Sequence, residues 1–410
     1  MAGTRGSSTE PARRVAVVGI GADGWDGIPP DARARIEAAV VVIGGERHLG
    51  LLPDGIDQRR IALPRPLREG LPALLDEHAD VVVLASGDPL VSGIGTTLID
   101  MLGADAVEIL PAVSSVALAR ARMRWPSESC AVVSVVGRDV ALVRRELAPG
   151  RRVLVLSSDE ETPALLAALL VEDGFGASRM TVLSDLGSPT EERLEATAAT
   201  WSHTTSRLNI VALEVSGSTG FGWVAGLPDD AFEHDGQLTK RDLRASALAR
   251  LAPTPGEHLW DVGAGAGSIG IEWMRAHPTC RATAVEADPE RAARIARNAA
   301  RLGVPNLAVV NARAPEALGD LTAPDAIFIG GGATRTGVLE ACLAALGPGG
   351  RLVVHGVTLE TEQLLADAYR THGGELTRIS VETAAPVGSF TGWTPARAVT
   401  QWAYLHNVIR

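Results

Sequence analysis

Short apolar runs rich in Val, Ile and Leu punctuate the first half of the chain at residues 15–20, 40–43, 81–84, 131–136, 153–156 and 208–215, each bounded by Gly, Pro, Ser or Asp. A continuous run of this kind has no polar face to turn to water, so it predicts a strand covered on both sides. Between the runs, residues 30–39 and 162–172 repeat apolar positions at helical spacing. Buried strands alternating with amphipathic helices predict an α/β layered fold.

The rhythm breaks at residues 216–236, SGSTGFGWVAGLPDDAFEHDG, where Gly, Ser and Asp displace any periodic pattern. This predicts an interdomain linker, placed at 218–235. A second α/β series follows: helix 241–251, strand 258–262, helix 269–276, strand 281–286, helix 289–302, strands 307–311, 326–329 and 352–355, and a closing strand at 399–408. Neither half repeats the other. With 410 residues the chain suits two cores rather than one. The expected domains are 13–217 and 236–410, behind a disordered tail at 1–12.

Aromatic residues make up only 4% of the chain, so the cores must be built from Ala, Val, Leu and Ile. The formal net charge of -11 disfavours a nucleic-acid partner, since proteins that track phosphate backbones carry basic surfaces. No apolar run approaches the ~20 residues needed to span a bilayer, and the N-terminus lacks a signal-like stretch. A cytoplasmic protein with no membrane partner, assembled as a homo-oligomer, is expected. Cys130, Cys280 and Cys342 lie far apart. They show neither metal spacing nor a disulfide framework and read as buried thiols; no metal is expected. Lys240 is the only lysine.

The strongest chemical motif is Trp260-Asp261-Val262-Gly263-Ala264-Gly265-Ala266-Gly267-Ser268, an apolar strand running into alternating glycines that open a helix. Glycines permit a tight turn and let a ligand approach the backbone. The next strand ends at Glu286, where a carboxylate accepts hydrogen bonds from a ribose diol. Gly265-x-Gly267-x-x-Gly270 also fits a dinucleotide fingerprint, which leaves an NAD-dependent oxidoreductase open. Asp261 weighs towards a ligand with a cationic sulfonium or an amino group, because a pyrophosphate would not welcome an anion there.

Several further runs carry a resemblance. They are Leu238 to Arg244 (LTKRDLR), Asp261 to Trp273 (DVGAGAGSIGIEW), Pro324 to Gly332 (PDAIFIGGG) and Val357 to Glu360 (VTLE). With them, residues 236–410 resemble the class I S-adenosylmethionine methyltransferases, and among these the precorrin decarboxylating methyltransferases acting on meso carbon 15. The resemblance implies a Rossmann-like fold with cofactor contacts at Thr239, Gly263, Ala264, Gly265, Ala266, Gly267, Glu286 and Ala314. His355-Gly356 stands where an Asn is expected before the VTLE run.

In the first half, Gly19-Ile20-Gly21-Ala22-Asp23-Gly24 follows the first apolar run. Ala85-Ser86-Gly87-Asp88-Pro89 follows the third, and Leu110-Pro111-Ala112-Val113-Ser114-Ser115 lies further on. Small-residue loops after buried strands sit where α/β sheets bind ligands. Together these loops resemble the tetrapyrrole methylases, the class III methyltransferases, over about residues 14–217. The likeness implies a two-lobed fold with cofactor contacts at Gly21, Ala22, Asp88, Val91, Ser114 and Ser115. The first loop lacks the G-x-G-P often seen in the family. The fused order resembles the bifunctional precorrin-6Y methyltransferases (decarboxylating). This implies one S-adenosylmethionine per domain and methylation of a tetrapyrrole, precorrin-6Y, at meso carbons 5 and 15. It also implies loss of carbon dioxide from the acetate on ring carbon 12, giving precorrin-8X of cobalamin biosynthesis. A different methyl acceptor stays an alternative.

Methyl transfer from a sulfonium to an enamine-like carbon needs orientation and water exclusion more than a catalytic triad, and none is visible. His355, Glu360 and Asp242 are the candidate acids for the decarboxylation. A polycarboxylate substrate on an acidic protein requires local cations. The candidates are Lys240, Arg241 and Arg244 in the second half and Arg120 and Arg122 in the first.

Overall fold

The computed structural model describes residues 14–78, 80–217 and 220–406; the tail expected at 1–12 lies outside them. The described residues divide into two compact units, one within Met1–Val140 and Pro149–Ser218, the other within Ala141–Ala148 and Thr219–Arg410.

The first unit holds two sheets. Strands β1 (Val15–Ile20), β2 (Val41–Gly44), β3 (Arg59–Ala62), β4 (Val81–Ser86) and β5 (Val107–Leu110) form one, in the order β3-β2-β4-β1-β5. Every pairing is parallel, with Val17 opposite Val83 on one side and Ile109 on the other. Alternate residues of β1 feed two cores: Ala16, Val18 and Ile20 one, Val15 and Val17 the other. That is why the run has no polar position. The second sheet joins β6 (Cys130–Ser134), β7 (Arg152–Leu156), β8 (Arg179–Ser184), β9 (Glu192–Thr197) and β10 (Asn209–Glu214) in the order β6-β7-β10-β8-β9. Here only β6 and β7 run parallel.

The second unit contains β11 (His258–Val262), β12 (Arg281–Val285), β13 (Ala308–Val310), β14 (Ala326–Ile329), β15 (Arg351–Gly356), β16 (Glu375–Ile379), β17 (Glu382–Val387), β18 (Phe390–Pro395) and β19 (Val399–Leu405). Its sheet runs β13-β12-β11-β14-β15-β19-β16, and β17 and β18 form a separate hairpin. The first five strands in that order are parallel, and β19 and β16 are antiparallel. The architecture is α/β in both units, as the alternating pattern predicts. Among the described residues, no helix is long and apolar enough to cross a membrane.

The Gly/Ser/Asp-rich stretch read as a linker is largely part of the second unit. Leu227, Ala231 and Phe232 are buried in its core. Glu272 accepts hydrogen bonds from the backbone N–H of Gly226 and Leu227 at 2.6 and 2.9 Å, and Asn298 holds Glu233 through both its amide N–H and its carbonyl. Backbone without regular secondary structure still needs partners when buried, and here buried side chains supply them. Residues Ala141–Ala148 likewise cluster with the second unit. Cys280 and Cys342 are buried thiols and Cys130 is half-buried.

Candidate active site

In the second unit, the turn after β11 puts Gly263, Gly265 and Gly267 at φ of +67°, +59° and +75°, a region that side chains rarely enter. A Cβ on Gly263 would lie 2.5 Å from the Gly331 carbonyl oxygen, and one on Gly265 2.8 Å from that of Gln237. The chain itself fills the space beside these glycines. Glu286, just past β12, accepts hydrogen bonds from the N–H of Gly265 at 2.9 Å and of Asp288 at 3.0 Å, one on each carboxylate oxygen. Each oxygen keeps a further lone pair, so the carboxylate can bind a diol while it braces the turn.

A cavity of about 740 Å³ opens against this turn, and Thr239, Lys240, Gly263, Ala264, Gly265, Glu286, Ala314 and His355 all line it. Eight positions spread from 239 to 355 therefore converge on one space at the carboxyl edge of the sheet, where α/β folds bind ligands. Ala266 is buried. Gly267 caps the helix Ser268–Ala276. Both shape the turn from behind and are absent from the described cavity wall.

Asp261 departs from its expected place. It is buried, its Oδ2 accepts from the Gly270 N–H at 2.9 Å, and it does not line the cavity. Desolvation, with a smaller contribution from Glu286, pushes its carboxyl up to about 7 against the Gly270 hydrogen bond. It braces the turn to the following helix.

His355, at the end of β15, is buried against Phe328, with ring centroids 5.0 Å apart at 82°. Its Nε2 faces the side-chain amide of fully buried Gln401 at 2.9 Å. An arginine can only donate, so the Gln401 oxygen turns to Arg250, 2.9 Å from Nε and 3.2 Å from Nη1, and its nitrogen donates to His355 Nε2. The imidazole proton therefore sits on Nδ1. Burial holds the histidine down at about 4, and the Arg250 charge adds to the lowering. At neutral pH His355 is therefore a neutral N–H donor. The other two candidate acids are placed elsewhere. Asp242 and Glu360 are exposed in the first turns of the helices Arg241–Leu251 and Leu359–His372, and neither lines the cavity.

The expected cations are redistributed. Arg244 is fully buried, with Nε 2.5 Å from Glu272 Oε1, Nη1 on the Thr239 carbonyl and 3.3 Å from Asp229, and Nη2 on the Leu227 carbonyl. Its guanidinium also covers the Phe232 ring at 4.8 Å. With these donors committed inside the protein, Arg244 cannot receive a substrate. Lys240 lines the cavity but already pairs with Asp229 at 3.6 Å. Arg241 is exposed and outside the described lining. Sequence reasoning missed Arg291, Arg313, Arg335 and Arg397, which do line it. Arg313 stands beside Ala314 in the loop after β13 and the other three belong to no motif; only the fold gathers all four.

In the first unit, β1 lies between β4 and β5, so the loops leaving all three meet at one sheet edge. The Gly87 N–H donates to the Ile20 carbonyl at 3.0 Å, and the Ala112 N–H donates to the Gly87 carbonyl at 3.1 Å. A Cβ on Gly19 would fall 1.9 Å from that Gly87 oxygen, so the loops leave no room for a larger residue. Asp88 accepts from the Leu90 N–H at 2.9 Å and folds its own turn. Ser114 Oγ caps the helix Ser115–Met123 by accepting from Ala117 at 3.2 Å. Gly21, Ala22 and Ser115 are half-buried along these loops, and Val91 packs on the neighbouring core. Arg122 is spoken for, donating to both oxygens of Glu191 at 2.5 and 2.8 Å. Arg120 is half-buried on the same helix. A cluster unseen in the sequence adjoins this edge: Arg47 and His48 each reach Ser86 Oγ at 2.9 Å. Burial, assisted by Arg47, lowers His48 to about 4.

The two halves match two families. Tetrapyrrole (Corrin/Porphyrin) Methylases match residues 14–201, and the Precorrin methyltransferase domain matches residues 230–406. The Precorrin-6Y C(5,15)-methyltransferase [decarboxylating] of Sinorhizobium sp is 47% identical over 406 residues, covering 97% of this chain and 98% of its own. The protein of the same name from Mycobacterium tuberculosis is 45% identical over 394 residues, covering 95% of this chain and 99% of its own. A solved structure, the C-terminal domain of precorrin-6Y C5,15-methyltransferase from Rhodobacter capsulatus, is 42% identical, covers 45% of this chain and all 100% of its own, and has a TM-score of 0.43. Likeness at this identity along almost the whole length of both chains places this protein in the precorrin-6Y C(5,15)-methyltransferase (decarboxylating) family.

Proposed function

We propose that the chain methylates precorrin-6Y at meso carbons 5 and 15 and removes carbon dioxide from the acetate on ring carbon 12, giving precorrin-8X. The first unit acts at carbon 5. The second acts at carbon 15 and on the acetate. The observation that carries this is the second unit's cavity, where a diol-binding carboxylate, Glu286, is fixed on a glycine turn at a sheet's carboxyl edge. The shorter Cobalt-precorrin-6B C(15)-methyltransferase (decarboxylating) of Salmonella typhimurium, 31% identical over 157 residues, supports assigning carbon 15 and the decarboxylation to one unit.

The residues present fit an S-adenosylmethionine in each unit. In the second, Glu286 would take the ribose hydroxyls, with Thr239, Gly263, Ala264, Gly265 and Ala314 forming the walls. In the first, Gly21, Ala22, Asp88, Val91, Ser114 and Ser115 surround the edge where the β1, β4 and β5 loops meet. When bound, S-adenosylmethionine supplies a methyl group on a cationic sulfur that an electron-rich carbon displaces in line. The protein's own part is to orient the acceptor and exclude water. Neutral His355 offers an N–H, not a mobile proton, so it orients a carbonyl or carboxylate of the acceptor beside the turn. Loss of carbon dioxide leaves the bonding pair on the acetate carbon, which a protonated ring imine of the substrate accepts. A poorly solvated carboxylate leaves more readily, and the apolar Phe328 and Val399 in the same wall lower the local polarity.

Incubating the full chain with precorrin-6Y and methyl-labelled S-adenosylmethionine tests the assignment by mass spectrometry. The product should carry two labelled methyl groups and lack one carbon dioxide. A product with a single methyl group, or with its carboxylates intact under full turnover, contradicts it.

A further inference from the structure

The chain as a whole is acidic, at -11, yet the cavity of the second unit is not. Five cations line it, Lys240, Arg291, Arg313, Arg335 and Arg397, against the single carboxylate of Glu286. Three of the five are already neutralised: Lys240 by Asp229 at 3.6 Å, Arg291 by Asp235 at 2.9 Å and Arg335 by Glu316 at 2.7 Å. Arg313 and Arg397 have no acidic partner among the described residues, and both are exposed. The methyl donor carries a sulfonium and an ammonium against a single carboxylate, so it can engage at most one of the two free arginines. The other points to an anionic second ligand.

The placement of the two arginines narrows its shape. Arg313 follows β13 at one edge of the sheet. Arg397 lies two residues before β19, whose first residues pair with the end of β15. Three further strands, β12, β11 and β14, lie between β13 and β15. At 4.7–4.9 Å per strand, the two backbones stand roughly 24 Å apart along the row of strand ends, before their side chains reach inward. One carboxylate cannot serve both. A flat macrocycle bearing acidic arms on opposite edges can, and arginine's planar fork suits carboxylates.

We propose that Arg313 and Arg397 are the specificity-determining residues of the second unit, each receiving carboxylate arms on opposite edges of the tetrapyrrole. This deepens the methyltransferase reading and rests on it. The clamp sets where the macrocycle lies against the glycine turn, and so which meso carbon faces the methyl donor.

The test uses the full chain with precorrin-6Y, following carbon dioxide release. Arg313→Gln and Arg397→Gln should each raise KM about tenfold, and the double variant about a hundredfold, since distant sites add. The kcat should change less than about threefold, and the Kd for S-adenosylhomocysteine should stay within about twofold. Lysine at either position should restore binding only in part. Arg370→Gln, on an exposed arginine paired with Asp367 on the helix Leu359–His372, should change nothing. A double variant with unchanged KM overturns the proposal, as does one whose loss lies in S-adenosylhomocysteine affinity. Equilibrium ultrafiltration with precorrin-6Y separates the two claims. If the wild type binds precorrin-6Y but releases no carbon dioxide, the functional reading fails. If the double variant keeps every class of precorrin-6Y site at wild-type Kd, the clamp fails whether or not the enzyme turns over.

Discussion

His355 Nε2 accepts a hydrogen bond from the Gln401 side-chain nitrogen at 2.9 Å, and the other end of that amide is fixed by Arg250. One buried glutamine thus decides the tautomer of the one histidine in the cavity wall. Arg250 is itself anchored to Glu375 at 2.5 Å, so the orientation is held from an edge strand. Neutral imidazole with its proton on Nδ1 is the form the second unit presents to its ligand.

That arrangement predicts a pH dependence. In the folded chain His355 lies near 4, below its ordinary 6.5, so the folded state binds fewer protons between these values. Its contribution to stability is intact above about 6.5 and is lost as pH falls through 4. Urea unfolding of His355→Gln beside the wild type should show the variant losing less stability between pH 6.5 and 4. The comparison cancels His48, which is lowered in the same direction. Nitrogen NMR should find Nδ1 protonated and Nε2 bare at pH 6. Titration of His355 near 6.5 would contradict this.

Arg244 is predicted to be structural. Replacing it with Met leaves Glu272 buried without its partner and frees the Thr239 and Leu227 carbonyls. Removing one member of a buried ion pair costs about 3–5 kcal/mol. A loss below about 1 kcal/mol in urea unfolding would show that the pair is dispensable.

Truncation distinguishes linker from domain. A fragment beginning at residue 236 lacks Leu227 and Phe232, both buried, and should be less stable than one beginning at 219 by about 3 kcal/mol or more. Equal thermal unfolding of the two fragments would return the stretch to the role of a free linker.

Gly265→Val should remove cofactor binding from the second unit. Its cause lies in the chain: the added Cβ meets the Gln237 carbonyl at 2.8 Å, in a backbone conformation of φ +59°. Calorimetry with S-adenosylhomocysteine should show one site fewer than in the wild type. Unchanged stoichiometry and affinity would refute it.

The layered α/β character was readable because β1 and β4 are buried on both faces, so their apolar runs are nearly unbroken. Of the strands that escaped notice, β9, ERLEAT, alternates exposed and half-buried positions, and β3 is an edge strand with no buried residue. β8, RMTVLS, is buried at five of its six positions, but Thr181 and Ser184 interrupt its apolar run. In the site, local motifs located Gly263, Gly265 and Glu286, because a turn and the carboxylate bracing it leave a fixed spacing. Arg244 misled because its neighbours in sequence line the cavity while its own side chain points into the core. Arg313 and Arg397 lie 84 residues apart, and only the order of the strands reveals that both reach the same cavity.

The central claim, one S-adenosylmethionine site in each unit, is tested most directly by titrating the intact wild-type chain with S-adenosylhomocysteine in a calorimeter. The account predicts saturation at two per chain. Saturation at one, with both units folded by circular dichroism and cooperative unfolding, would contradict it.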